Sequence, residues 1–158
     1  MYRQVDDFLI DWQQSVKGAS KAIQSITDEK INFAIVKDHN TLGWIANHLT
    51  ELGLVFGEWM QLDVATYDGP KSTVLELTES YNKMAEAISE KVANLTDDDL
   101  FEEVNAFGKP MLRGNVLKIL VQHQIHHVGQ MTVLLRQAGL RVPPVMGITK
   151  EMAAKQKQ

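Results

Sequence analysis

A chain of 158 residues with 44% hydrophobic and 23% charged residues has the size and composition of one globular domain with a substantial core, and it excludes a disordered segment or a fibre. Its formal net charge is -4 and its densest charge run, "TDDDLFEE" at 96–103, is acidic, which argues against a phosphate-tracking surface and against nucleic acid as a partner. There is no cysteine, so disulfides, cysteine zinc knuckles and a thiol nucleophile belonging to the chain are all excluded.

The first residues, "MYRQVDDFLI", carry acids where a signal peptide needs an apolar stretch, and no apolar run reaches membrane-spanning length. The expectation is a cytoplasmic protein without membrane contact. Val5, Leu9, Trp12, Val16, Ala19, Ile23 and Ile26 recur every three or four residues and predict a first helix over about 2–26. After the turn-like "KDHNT", Leu42, Ile45, Leu49, Leu52, Phe56 and Trp59 form a second stripe. It predicts a helix over about 41–65 with Asn40 or Thr41 as N-cap. "YDGPKST" interrupts the pattern, and Thr73 with Glu76 forms a capping box for a third helix carrying Leu77, Tyr81, Met84, Ile88 and Leu95.

Residues 96–114 have apolar Leu100, Phe101, Val104 and Phe107 without a sustained period and read as a long connection containing short ordered pieces. The last stripe runs Val116, Leu120, His123, His127, Gln130 and Leu134, closed by Gly139 at a left-handed C-cap, with Pro143 and Pro144 beyond. "AAKQKQ" reads as a frayed tail. The expected architecture is all-α: a single domain spanning 1–158, a four-helix bundle with a long connection between helices three and four.

Three of the five histidines fall within "HQIHH", in a helix whose neighbours are apolar. At roughly 100° per residue, His123 and His127 lie about 40° apart and face the core stripe, whereas His126 turns toward its edge. Imidazoles four residues apart on one helical face offer half of a divalent cation site. His48, between Ile45 and Leu52 on helix two, offers another ligand and would leave a coordination position open. A di-iron bundle site would require inward carboxylates, and the stripes of helices one and three contain none, so one metal fits better than two. Taken alone, a histidine on an apolar stripe is ordinarily a packed residue, and spacing by itself leaves that alternative open. His126 is read as a surface residue or a support behind a ligand, and His39 as an exposed turn residue.

"HQIHHVGQMTVLLRQAGL", His48 within "LGWIANHLTE", and "VPPVMG" together resemble the DinB/YfiT-like superfamily, over nearly the whole chain. The H-x-x-H-H-x-G-Q stretch is the most specific part. The resemblance implies a helical bundle, commonly a homodimer, that holds a divalent metal, zinc or nickel, on His48, His123 and His127. It also implies one of several chemistries. Some relatives are transferases or isomerases using low-molecular-weight thiols such as bacillithiol or mycothiol, others are described as metal-dependent hydrolases or as DNA-damage-inducible proteins.

The leading expectation is a metal-dependent transferase in which a small thiol, made a better nucleophile by the cation, attacks an electrophilic small-molecule substrate. The alternatives are a hydrolase acting through metal-bound water, or a non-catalytic metal-binding or stress-response protein whose metal is closed off by a fourth ligand such as Glu51. Glu51 lies three residues after His48 and suits a ligand, a general base or a solvated carboxylate equally. Gln130 suits a ligand's hydrogen-bond partner or a helix-packing residue, and Trp44 a pocket wall or core. Metal affinity is expected to fall below about pH 6, where imidazole becomes protonated.

Overall fold

The computed structural model describes residues 1–64 and 68–155. Among the described residues the chain forms four long helices, α1 (Val5–Gln24), α2 (Leu42–Trp59), α3 (Val74–Ala93) and α4 (Arg113–Gln137), with a short α5 (Lys150–Lys155). A two-stranded antiparallel hairpin, β1 (Glu103–Ala106) and β2 (Lys109–Leu112), precedes α4. The long helices pack in the cyclic order α1, α3, α2, α4, so α1 lies diagonal to α2 and α3 diagonal to α4. None of the described helices is long and apolar enough to cross a membrane.

The apolar stripes meet in one buried cluster built around Phe8, Trp12, Ile45, Phe56, Tyr81, Ile88 and Leu117. Burying such large side chains contributes about 1.5–3 kcal/mol each, and this is what assembles the bundle. Trp12 also donates its indole N–H to the Ala85 carbonyl at 3.1 Å. Polar groups inside are paired: Tyr81 donates to Gln124 Oε1 at 2.8 Å, and Gln124 Nε2 donates to Ser15 Oγ at 2.6 Å, a network joining α3, α4 and α1.

The caps explain where the helices begin and end. Thr41 accepts the Trp44 amide, and Thr73 with Glu76 completes the expected capping box. The start of α1 at Val5, rather than residue 2, reflects two long-range bonds. The Tyr2 amide is drawn to the Gly114 carbonyl, and the Val5 amide is accepted by Asp97 from the acidic run.

Helix α2 stops at Trp59, short of the expected 65, where position 65 itself lies outside the described residues. Gln61 takes a left-handed conformation (φ 59°), with Leu62 N–H bonded to Gly57 O and Gln61 N–H to Glu58 O. This Schellman ending is built without the glycine that usually announces it. The same ending at α4 does use glycine: Gly139 has φ 76°. Helix α3 ends at Ala93, so Leu95 lies just beyond it.

The 96–114 connection is more ordered than its sequence suggests. A 3₁₀ turn (Asp98–Phe101) leads into the hairpin, in which Val104 pairs with Met111 and Ala106 with Lys109. Phe107 and Gly108 form its two-residue turn, both with positive φ (54° and 73°), the type I′ geometry that matches strand twist. Arg113 then fastens the connection. Its Nε donates to the Met60 carbonyl at the end of α2, and its Nη1 donates to the Asp99 carbonyl and to Glu102. The start of α4 is thus tied to the end of α2, and the two helices run antiparallel. Residues 150–155, part of which read as a frayed tail, are helical, and 156–158 lie outside the described residues.

Candidate metal centre

The antiparallel α2 and α4 bring the middle of one against the middle of the other, and their facing residues are histidines. His48 projects from α2, and His123 and His127 project from successive turns of α4. One ring nitrogen from each gathers so that all three lie within 4.8 Å of one another. His127 is buried, at 8% exposure, while His48 and His123 are half-buried, so the cluster opens to solvent on one side.

The hydrogen bonds determine which nitrogens face inward. Gln130 Oε1 can only accept, so the 2.8 Å contact to His127 Nδ1 places a proton on Nδ1 and leaves the lone pair of a neutral His127 on Nε2. His123 Nε2 stands 2.8 Å from His127 Nε2. Two such nitrogens share either a proton or a cation. Bonds of about 2.0–2.1 Å from two imidazoles to one ion place the nitrogens roughly 3 Å apart, so the spacing suits a common cation. The amide of Gln130 donates in turn to His126 Nε2 at 3.1 Å. His126 is exposed and sits behind the cluster, connected to it through Gln130.

Burial holds all three clustered imidazoles below the ordinary value of 6.5. The crowding of the rings adds to it: His127 disfavours charge on His48 and His123, and His126 disfavours charge on His127. The hydrogen bond to Gln130 opposes this at His127 without reversing it. All three rings are neutral at pH 7, the state in which imidazole donates to a metal. The linkage to stability follows. Because the folded values are depressed, stability is fully present above pH 6.5; below it the unfolded chain binds protons first, and stability declines until the folded values are passed. We expect the thermal midpoint of the metal-free protein to fall on acidification below 6.5, with a shallower fall in His48→Gln. Equal slopes in parent and variant would contradict the depressed values.

Aromatic rings surround the cluster. Trp44, read from sequence as pocket wall or core, is 45% exposed and stacks on His48 with centroids 4.6 Å apart and planes 20° apart. Phe56 meets His123 edge-on at 6.3 Å. Glu51 is exposed and stands outside the gathered ligand atoms, and His39 is exposed in the loop before α2. Phe107 reaches the edge of the site through Phe56, and nothing in "AFGK" announces a turn that presents a phenylalanine there.

The family model described as DinB family matches residues 1–158. The chain belongs to the DinB family. This DinB-family chain is 36% identical over 160 residues to "Uncharacterized protein YrdA" of Bacillus subtilis (strain 168), covering 98% of this chain and 95% of that protein. Among solved structures it resembles a DinB-like protein from Bacillus cereus ATCC 10987, with a TM-score of 0.87 and 34% identity over 92% of this chain and 99% of the other. It also resembles the DinB-like protein YjoA from Bacillus subtilis, with a TM-score of 0.72 and 16% identity over 90% of this chain and 99% of the other, a likeness of fold alone. In this DinB-family chain the three histidines that could hold a metal ion are His48, His123 and His127.

Proposed function

We propose that His48, His123 and His127 bind one divalent cation, zinc or nickel, and that the chain is a metal-dependent transferase acting with a low-molecular-weight thiol. The observation that carries this is the convergence of three neutral ring nitrogens within 4.8 Å, with the far nitrogen of His127 already held by Gln130. A cation bound there supplies positive charge that favours the anionic, nucleophilic form of a small thiol.

The chain's own residues orient and expose. Gln130 holds His127 in the tautomer that turns Nε2 inward, as the partners behind metal-bound histidines commonly do. Among the described residues no fourth histidine, aspartate or glutamate joins the group, which favours an open site over a closed structural one. With no cysteine in the sequence, the thiol in this scheme is not one of these residues, which suits a small-molecule thiol. The cytoplasm, where such thiols are kept reduced, suits this role. A homodimer, implied by the family resemblance, is part of the same proposal, and light scattering reads it directly.

The test is to load the full chain with zinc or nickel and assay it with small thiols plus electrophiles, and separately with simple esters and amides. Turnover confined to esters and amides removes the thiol scheme and favours a hydrolase, for which Glu51 is the nearest candidate base in sequence. Metal binding without either activity leaves a metal-binding protein.

Two further outcomes are expected. Gln130→Leu loses the acceptor that fixes His127, and metal affinity should drop about 10–100-fold by competition with a chromophoric chelator. An unchanged affinity would mean that His127 is oriented by packing alone. Metal affinity should be flat above pH 6.5 and decline below it, because all three imidazoles are shifted downward and protons compete only in that range. An affinity that shows no decline at any acid pH at which the bundle stays folded would contradict a three-histidine site.

A further inference from the structure

The rings at the site form a continuous strip of contacts, in which Phe56 is fully buried and the other members reach the surface. Trp44 stacks on His48, His48 adjoins His123 at 5.9 Å, and His123 meets Phe56. Phe56 meets Phe107 edge-on at 5.7 Å, and Phe107 packs on Trp59 at 4.4 Å. The strip's members Trp44, Phe56, Phe107 and Trp59 carry no charge. Trp44 at 45% and Phe107 at 47% exposure are both half open to solvent, although both have the size to be buried.

Phe107 is the most telling member. It occupies the first turn position of the β1–β2 hairpin at φ 54°, a conformation that disfavours a bulky L-residue and that asparagine followed by glycine adopts with ease. A chain selected for hairpin stability alone would place asparagine before Gly108. It carries instead a large ring, held at a backbone cost and directed onto Trp59 and Phe56 beside the histidines. Strain retained at one residue next to a site motivates a role for its side chain.

We infer that this strip seats a flat, uncharged, apolar group of the substrate whose donor atom reaches the cation, and that Phe107 determines the preference for it. The inference deepens the preceding proposal and rests on its metal reading. A ring lying on the strip gains apolar burial and edge or face contacts with Phe107 and Trp59 that a small aliphatic ligand on the same cation does not make.

The experiment uses the full chain loaded with Co²⁺. Dissociation constants for phenylmethanethiol and 2-mercaptoethanol are read from the thiolate-to-cobalt absorption band, with thermal midpoints measured in parallel. In the parent, phenylmethanethiol should bind about tenfold or more tightly than 2-mercaptoethanol, as contacts worth ~1.4 kcal/mol give. Phe107→Asn should remove that preference, leave 2-mercaptoethanol unchanged and not lower the midpoint. The absence of preference in the parent, or its survival in Phe107→Asn, overturns the inference while leaving the metal reading intact. If preference and midpoint fall together, Phe107→Tyr decides: a restored preference supports the inference and an unrestored one overturns it. Failure to take up cobalt overturns the metal reading and this inference with it.

Discussion

In a chain carrying His123→Ala and His127→Ala, bound metal falls from about one equivalent to none while the bundle stays folded. Loss of a single hydrogen-bond partner behind a ligand already costs about 10–100-fold in affinity, so removal of two of three ligands should cost at least ~10⁴-fold. Folding should survive because the partners left behind are not stranded. Gln130, the group that loses its donor, is exposed and can turn to water, and His48 remains half-buried beside Trp44. Removing two polar rings from the edge of the core also relieves their mutual crowding. Elemental analysis after equilibrium dialysis against zinc or nickel, with circular dichroism to verify the helices, reads both parts. Equal metal in parent and variant would place the binding elsewhere, and none in either would make the histidines packing residues and remove the basis for an enzyme.

The second large effect falls outside the cluster. Arg113→Ala should destabilise the fold by about 3–5 kcal/mol, a large share of the ~5–15 kcal/mol that holds a domain together. Arg113 is 6% exposed and its guanidinium serves the Met60 carbonyl, the Asp99 carbonyl and Glu102. Truncation strands the two carbonyls at about 1–3 kcal/mol each and leaves a gap where the side-chain stem lay. Glu102, largely exposed, loses little. Because these bonds join the end of α2, the 3₁₀ turn and the start of α4, the variant should also loosen the hairpin that presents Phe107. Urea unfolding gives the first quantity, and amide exchange at 103–112 the second. A loss below about 1 kcal/mol would show that water replaces the guanidinium at both carbonyls.

Periodicity was a reliable guide where one residue's neighbours decide its fate. The stripes of α1 to α4, the capping box at Thr73 and Glu76 and the left-handed Gly139 are all local: a 3.6-residue repeat, a side chain reaching three residues on, a residue without Cβ at positive φ. The pairing of His123 with His127 is of the same kind, four residues apart on one helix. Where local signals were absent, the reading fell short. The end of α2 uses Gln61 where glycine was to be expected, and the hairpin turns at Phe107 rather than at an asparagine. The start of α1 depends on Asp97, 92 residues away in sequence.

From its sequence alone, then, this protein's helical class, its family and the histidines worth watching could be determined, because each rests on local spacing or on short motifs that are legible segment by segment. Only the tertiary structure decided that His48 meets the α4 pair, that Gln130 directs His127 while Glu51 stays outside, and that Trp44, Phe56, Trp59 and Phe107 frame the cluster. Those facts depend on the antiparallel register of α2 against α4, which Arg113 ties at one end, and on a hairpin whose turn strains its own phenylalanine. Contacts between segments distant in the chain are set by the packing of the whole core, and no window of sequence contains them.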